Sequence, residues 1–444
     1  QMSANMHSVS AAMEQSANNV NMVAASTEEM DTRLNSLEFW AKPRDYRHDA
    51  FTWLRNNKPI SWNEPPDSLD PNLQNAKGFW SIVKHKHLRE ISRNFEVFSS
   101  AEGVFIDDFP QLETMLSFIV TDPPRHTELR NIVTVAFTPR NIRKMTDRIA
   151  GIVSGIVDNV AYRGEGDLCE LITKEVPGQV FCSMLGITDR EQIQYTMDAA
   201  EQFACWNDPE YAHIGSPLMV FADASMKLAT LANELVPERM KNPGDDLLSW
   251  VAEAQYEGKK LNQDEVGVFF ALLAAGANDT TRHAMASALD LFQHHPDQLA
   301  YLMEDFDGRV DNAVNEVLRM EPPLMHFRRT ATRDYQLDDV TFKEGDKVVM
   351  WYIASNRDED VFENPQKMDI SRDEKHNPHQ SFGAGGPHYC LGHILGREVL
   401  KAQMREIYHR MPNLEVGEPD LLLSNFMNGT KRLPATWTPE KKKP

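Results

Sequence analysis

The sequence predicts a mainly α-helical fold that carries small β-sheets. Apolar residues recur at helical spacing in several stretches between residues 140 and 256. A further pattern, from about Gln263 to His294, is long enough to cross a whole domain, because a helix rises about 1.5 Å per residue. Short segments of alternating polarity, among them 58–62 and 78–83, are bounded by Pro, Gly and Asp and predict strands.

The 444 residues divide into two pieces of unequal length. Residues 38–444 contain no linker rich in Pro, Ser and Gly, so we expect one large domain there. Residues 1–37 form a heptad-patterned helical extension, in which mostly apolar residues alternate at spacings of four and three from Met2 to Leu37. Two interpretations of this extension stay open: a coiled coil that makes a homo-oligomer, and an amphipathic helix that docks on the main domain or frays. Its sequence, notably at residues 11–16 and 26–30, resembles the signalling coiled coil of bacterial chemotaxis receptors.

The remaining elements follow from local patterns. Asn262 and Glu265 match an N-cap and its N3 partner for the longest helix. Other predicted helices cover 46–56, 310–319 and a stretch that begins with residues 88–92. Further predicted strands cover 335–337, 340–342 and 347–352 and form hairpins with Glu344 and Gly345 at a turn, and a last hairpin covers 423–434.

Charge and cysteine content exclude several classes of function. The net charge of −20 repels nucleic-acid phosphates and anionic membranes, so we expect neither as a partner. The four cysteines are too widely spaced for a disulfide framework or a metal cluster, which points to a reducing cytoplasm. The longest apolar run, Val266 to Ala277, is too short to span a membrane, and the N-terminus lacks the layout of a secretory signal.

One cysteine stands apart from the other three. Cys390 ends a loop that contains Gly383, Gly385 and Gly386, immediately before an apolar helical run. Helix N-termini lower the pKa of a thiol and suit its thiolate to hold a metal. No Cys or His lies nearby at zinc-finger spacing, whereas haem iron needs a single strong thiolate. The alternative is an inert cysteine buried in a glycine turn.

This stretch resembles the cysteine loop of the cytochrome P-450 superfamily. Gly386, His388, Cys390 and Gly392 match the pattern of that family residue by residue, and Phe382 departs from it by one position. The resemblance implies the fold of the family, a helical bundle around a haem with small β-sheets. It also implies heme b (iron protoporphyrin IX) as the cofactor and Cys390 as the ligand of its iron.

The longest helix contains a polar motif after a strongly apolar run. A buried threonine hydroxyl can bond the carbonyl four residues back, which here joins Thr280 to Gly276. The motif resembles the oxygen-binding groove of the family, in which an acid and a threonine deliver protons. By that resemblance Asp279 and Thr280 are the catalytic residues.

Basic residues at three places predict a site for two carboxylates. His126 and Arg130 lie four residues apart on one helix face, which is alternatively a solvated basic face. In the family the matching residues bind the haem propionates. Arg329 and His388 match two further contacts, so the resemblance assigns all four to the cofactor. An arginine also offers a planar bidentate contact to a carboxylate.

Glu316 and Arg319 stand one turn apart on a helix with an apolar face. A buried ion pair is seldom kept for stability alone, because desolvation offsets much of its attraction. The two residues resemble the Glu-x-x-Arg pair of the family. That pair locks the core beneath the haem together with a later arginine, here Arg372.

The segments that border the substrate pocket in the family are apolar in this chain. Apolar walls with few polar anchors predict a largely apolar substrate of terpene to sterol size. The tail from Leu423 to Pro434 also resembles bacterial members that act on sterol side chains and branched lipids. The expected pocket residues are Val104, Phe105, Ile106, Leu272, Gly276, Leu324, Met325 and Phe426.

We therefore expect a haem-thiolate monooxygenase that inserts one atom of O₂ into a C–H bond of a terpene, sterol or branched lipid. The sequence has no flavin or NAD fingerprint, so electrons must come from a partner, here expected to be a ferredoxin with its ferredoxin reductase. Arg397, Lys401 and Arg405 recur at a spacing of four and predict a basic face for that ferredoxin. The competing hypothesis is a haem-based sensor or ligand-binding protein with the coiled coil as its output.

Overall fold

A computed structural model describes residues 30–67, 77–108 and 118–442. Helices make up most of the described chain. In chain order they are α1 (Leu37–Trp40), α2 (Arg44–Asn57), α3 (His85–Arg93), α4 (Arg125–Thr134), α5 (Pro139–Asp158), α6 (Glu175–Met184), α7 (Arg190–Ala204), α8 (Pro217–Lys241), α9 (Leu247–Glu253), α10 (Gln263–His294), α11 (Pro296–Glu304), α12 (Phe306–Met320), α13 (Tyr352–Ser355) and α14 (His393–Arg410). The predicted mainly α fold is confirmed.

The strands are short and form small sheets. They are β1 (Ile60–Asn63), β2 (Phe79–Ile82), β3 (Phe98–Ser99), β4 (Glu165–Asp167), β5 (His326–Ala331), β6 (Tyr335–Leu337), β7 (Val340–Phe342), β8 (Lys347–Trp351), β9 (Glu415–Val416), β10 (Asp420–Leu421), β11 (Thr430–Arg432) and β12 (Pro434–Thr436). The largest sheet has the order β1-β2-β8-β5-β3. A three-stranded sheet has the order β4-β12-β9, and the pairs β6-β7 and β10-β11 are separate.

Helix α10 is the central element of the helical region. Its ends fall where the sequence predicts them, and the capping box is present: Glu265 N–H donates to Asn262 Oδ1, and Asn262 N–H donates to Glu265 Oε2, both at 2.9 Å. The helix packs against α6, α7, α8, α12 and α14. A residue in the middle of α10 therefore faces either a neighbouring helix or the space that the helices enclose.

Strand β8 differs from its predicted role. The sequence suggests that it joins the β6-β7 hairpin, but it pairs in parallel with β2 and antiparallel with β5. All five of its residues are buried, so it is a central strand of the large sheet. The last hairpin exists but begins earlier than predicted, because Asp420 and Leu421 pair with Arg432 and Thr430 and leave Phe426 in the connecting loop.

The heptad pattern of residues 1–37 lies mostly outside the described residues. Its last part does not form the predicted continuous helix, since residues 30–36 are irregular and α1 begins only at Leu37. Leu34 is fully buried in a cluster with Phe39 and Phe51, and its carbonyl accepts a hydrogen bond from Trp40 Nε1 at 2.9 Å. Packing of Leu34 against the main domain therefore replaces a helical seam here.

None of the described helices combines the length and the apolarity that crossing a membrane requires.

Candidate active site

The cysteine loop is fixed against the end of α3. Cys390 N–H donates to Phe382 O at 2.9 Å, and Ser92 Oγ donates to Gly385 O at 2.6 Å. Gly386 has a φ of +83°, and a Cβ there would lie 2.3 Å from the backbone oxygen of Ser92. Because a backbone atom cannot move aside like a side chain, the loop needs glycine at this position.

The surroundings of Cys390 differ from the expected helix terminus. Helix α14 begins at His393, and Gly392 occupies its N-cap position. Burial raises the pKa of the Cys390 thiol, against the opposing effects of the Gly392 N–H and of the Arg130 and Arg397 guanidiniums. The predicted lowering of this pKa is wrong for the protein alone, because desolvation outweighs the nearby positive charges.

The middle of α10 presents one open face inside the helical region. Leu273, Gly276, Ala277 and Thr280 share that face and are half-buried or exposed, whereas Asn278 and Asp279 are buried. A Cβ at Gly276 would have no atom within 4 Å. Thr280 Oγ1 donates to Gly276 O at 2.7 Å, as the sequence predicts. This face has room for a flat group beside the helix.

Four basic side chains converge from α4, β5 and the cysteine loop. The rings of His126 and His388 lie 4.1 Å apart between centroids, and His126 Nδ1 and His388 Nε2 are buried without a hydrogen-bond partner among the described residues. Arg329 is 3% exposed, and its Nη1 donates to Arg328 O at 2.8 Å. Within the described part of the chain no carboxylate lies within ion-pair distance of Arg329. Arg130 Nη2 donates to Tyr389 O at 2.6 Å.

This donor set fits the propionates of a haem. Burial lowers the pKa of His126 to about 4, with Arg130 adding to the effect, so its ring is neutral and can donate one hydrogen bond. Burial also lowers the pKa of His388 well below its ordinary range. A buried guanidinium without an anion is costly, and a carboxylate from a cofactor would remove that cost. His126, Arg130, Arg329 and His388 are therefore brought together as predicted.

The predicted charge pair is also assembled. Arg319 binds both carboxylate oxygens of Glu316 at 2.8 Å, and both residues are fully buried. Arg372 Nε lies 3.5 Å from Glu316 Oε1. Arg319 further donates to the carbonyls of Asn356 and Pro365. The pair thus ties α12 to the segment that leads into the cysteine loop.

The predicted pocket residues occupy two layers. Leu272, Leu324 and Phe426 are half-buried and keep part of their surface open, and Phe105 packs edge-on against Phe426 at 4.6 Å between ring centroids. Val104, Ile106 and Met325 are at most 1% exposed, so they back the wall and do not form its surface. The sequence reasoning missed Phe327, which is half-buried and lies 5.8 Å from Phe426. Side chains two residues apart on a strand lie on the same face, so the position of Phe327 two residues before Arg329 was the available signal.

Asp279 lies at the inner end of a chain of charges that the sequence did not reveal. Its carboxylate is 3.8 Å from Arg282, which pairs with Glu201. Lys174 lies 2.7 Å from Glu201 and 3.7 Å from Asp198, whose side chain is 57% exposed. Burial raises the pKa of Asp279 to about 7 against the effect of Arg282. The chain connects a carboxyl that titrates near neutral pH with solvent.

The predicted basic face on α14 is largely neutralised. Lys401 Nζ lies 3.0 Å from Asp311 and 2.5 Å from Glu398, and Arg405 pairs with Asp307. Arg397 donates to Asn315 Oδ1 and stacks on the ring of Phe382. The spacing of four was correct, but α12 supplies acids that the spacing alone could not show.

Comparison with known proteins gives a consistent result. The family model described as cytochrome P-450 matches residues 76–410. The methyl-branched lipid omega-hydroxylase of Mycobacterium tuberculosis is 36% identical over 418 residues, which cover 92% of this chain and 95% of that protein. The steroid C26-monooxygenase of the same species is 34% identical over 399 residues, or 87% and 89% of the two chains. A solved structure of a Mycobacterium marinum cytochrome P-450 in complex with pseudoionone matches with a TM-score of 0.85 and 38% identity, over 93% of this chain and all of that one.

Proposed function

Because the chain belongs to the cytochrome P-450 family and is a haem-dependent monooxygenase, we propose that it hydroxylates a branched, largely apolar molecule at the end of its chain. A ferredoxin and its reductase supply the electrons. The observation that carries the substrate class is the half-buried apolar wall of Leu272, Leu324, Phe327 and Phe426. The names of the relatives, an omega-hydroxylase of methyl-branched lipids and a steroid C26-monooxygenase, support attack at a chain end.

Residues from four segments would hold the cofactor. Cys390 would provide the thiolate for the iron, and the open face of α10 at Gly276 and Ala277 would give the haem room. Arg329 and His126 supply donors to the propionates, together with Arg130 and His388. Bound heme b activates O₂ so that one oxygen atom enters a C–H bond and the other leaves as water.

Asp279 and Thr280 deliver the protons that this reaction consumes. A carboxyl with a pKa near 7 both releases and regains a proton readily at neutral pH. Arg282, Glu201 and Lys174 connect it to solvent. The Thr280 hydroxyl lies on the open face of α10 and donates to Gly276 O, so its oxygen remains able to accept a hydrogen bond from a water in the pocket. The path brings protons into a pocket whose apolar walls exclude bulk water.

The substrate proposal is tested by paired ligands. A methyl-branched fatty acid is compared with its straight-chain isomer, and a steroid that carries the aliphatic side chain is compared with the same steroid without it. We expect the branched and side-chain ligands to displace water from the ferric haem, which is seen as a spectral shift, and to be hydroxylated at a terminal methyl carbon. Exclusive binding of small charged acids, or attack on the steroid rings only, contradicts the proposal.

The competing sensor hypothesis gains no support. The relatives are named as a hydroxylase and a monooxygenase, and the path from Asp279 to solvent serves turnover, which a sensor does not need. The coiled coil that would give the sensor its output falls mostly on residues outside the described part of the chain.

A further inference from the structure

Cys205, Asp279 and His283 form a buried cluster next to the proton path. One side-chain atom of each, the sulfur, a carboxylate oxygen and a ring nitrogen, lies within 4.8 Å of the other two. The three residues are 3%, 0% and 1% exposed. Both carboxylate oxygens of Asp279 and Nε2 of His283 have no hydrogen-bond partner among the described residues. Burying such groups unpaired is costly, so the cluster calls for a ligand.

The protonation of the cluster follows from its contacts. Thr430 N–H donates to His283 Nδ1 at 3.2 Å, so the ring proton of the neutral imidazole is on Nε2. Burial, assisted by Arg282, lowers the pKa of His283 to about 3, which keeps the ring neutral. Burial and the charge of Asp279 raise the pKa of the Cys205 thiol well above its usual range. The cluster therefore presents two donors, S–H and N–H, and one acceptor, the carboxyl group.

The size of the cluster fits a single small molecule. Three atoms within 4.8 Å of one another always have a common point no farther than about 2.8 Å from each, which is a hydrogen-bond distance. Buried water typically makes about three hydrogen bonds to otherwise unpaired polar groups. A cation would face two bound protons and the guanidinium of Arg282, 3.8 Å from the Asp279 carboxylate. Water matches this pattern of donors and acceptor, and a metal ion does not.

We propose that Cys205, Asp279 and His283 bind one internal water molecule, which accepts from the thiol and the imidazole and donates to Asp279. Cys205 and His283 are then positioning residues, and the water holds the Asp279 carboxyl in the orientation from which it releases and regains its proton. The inference rests on the role of Asp279 given under the proposed function. It adds two residues from α10 and the end of α7 to the proton path.

The first test is a crystal structure of the holoenzyme at a resolution that shows ordered water, with data also collected at the absorption edges of zinc and iron. We expect one water peak within hydrogen-bond distance of all three side chains and no anomalous signal at that position. A metal peak, or direct contact between Asp279 and His283 without water, overturns the inference. This result does not depend on whether Asp279 acts in turnover.

The second test compares variants that keep or remove the donors. Cys205→Ala and His283→Leu should each lose the water and lower the ratio of product formed to O₂ consumed about fivefold, the factor expected for one hydrogen bond. Cys205→Ser keeps a donor and should restore the ratio, and Cys182→Ala, which changes a buried cysteine outside the cluster, should leave it unaltered. The infrared band of the protonated Asp279 carboxyl, assigned with Asp279→Asn, should shift in Cys205→Ala and in His283→Leu. Unaltered bands in both overturn the inference, whereas undiminished product formation in Asp279→Asn overturns only the proposed function.

Discussion

The Thr280 hydroxyl bonds within its own helix, and we propose that it also acts in the reaction. Its Oγ1 donates to Gly276 O at 2.7 Å while the residue stays on the open face of α10. In Thr280→Ala we expect haem content, substrate binding and O₂ consumption to persist, with most of the oxygen released as hydrogen peroxide, because protons still arrive but are misplaced. The measurement is the ratio of hydroxylated product to peroxide. Undiminished product formation would show that Thr280 is only a helix residue.

Asp279 makes the stability of the protein depend on pH. Its pKa of about 7 in the folded protein exceeds the ordinary value of 3.8, so the contribution of this one group to stability is highest below about pH 4 and falls as the pH rises to about 7. Replacing Asp279 with Asn removes this loss. Between pH 5 and pH 8 we expect the free energy of unfolding to fall by about 3 kcal/mol more in the wild type than in Asp279→Asn. The measurement is urea unfolding of both proteins at both pH values. An equal change in unfolding free energy for the wild type and Asp279→Asn would contradict this assignment.

At the scale of the element, α14 and α12 form one surface on which positive and negative side chains are paired. Lys401 and Arg405 lie opposite Asp311 and Asp307, so the net positive charge that an acidic ferredoxin would meet is small. The double variant Asp307→Asn, Asp311→Asn should raise the rate of electron transfer from an acidic ferredoxin at low salt, and high salt should abolish the gain. Asp297→Asn, an exposed acid on α11, is the matched control. An equal increase in the electron-transfer rate of that control would show that only the net charge of the protein matters, and would contradict docking at α14.

The sequence predicted those elements whose signals are local. The start of α10 followed from Asn262 and Glu265, and β6 and β7 followed from short segments of alternating polarity. The position of β8 between β2 and β5 was not predictable, because pairing between residues more than 200 positions apart leaves no local pattern. The same applies to α14, where the cations were visible and their partners on α12 were not.

The residues of the candidate site also fall into two groups, those with a local sequence signal and those that only the fold brings to the site. Cys390, Asp279, Thr280 and the four basic residues that we propose for the propionates belong to motifs with fixed spacing, so the sequence alone could nominate them. Glu201 and Lys174 lie on other helices, and only the fold brings them to Arg282. Arg282 itself, three residues after Asp279, was within reach of sequence reasoning.

At the scale of the whole molecule, we propose that the main domain begins before residue 38. Leu34 is fully buried against Phe39 and Phe51, and Asn35 O accepts a hydrogen bond from Asp67 N–H at 2.9 Å. A chain that starts at residue 30 should keep its haem and turnover, because every site residue lies beyond it. A chain that starts at residue 38 should lose about 3 kcal/mol of unfolding free energy through the missing leucine. Equal urea midpoints for the two chains would contradict this boundary.

The unpaired polar groups around Arg329 have a consequence for the life of the protein in a cell. The Arg329 guanidinium is buried with no carboxylate within ion-pair distance among the described residues, and the neutral rings of His126 and His388 each have a buried nitrogen without a hydrogen-bond partner there, so the chain folds at a cost until the cofactor binds. Any ligand that binds only the folded state shifts the equilibrium away from the unfolded chains on which proteases act. Newly made chains should therefore turn over quickly when haem synthesis is slow and persist when it is fast. The supply of cofactor then sets the abundance of the enzyme without any dedicated regulator.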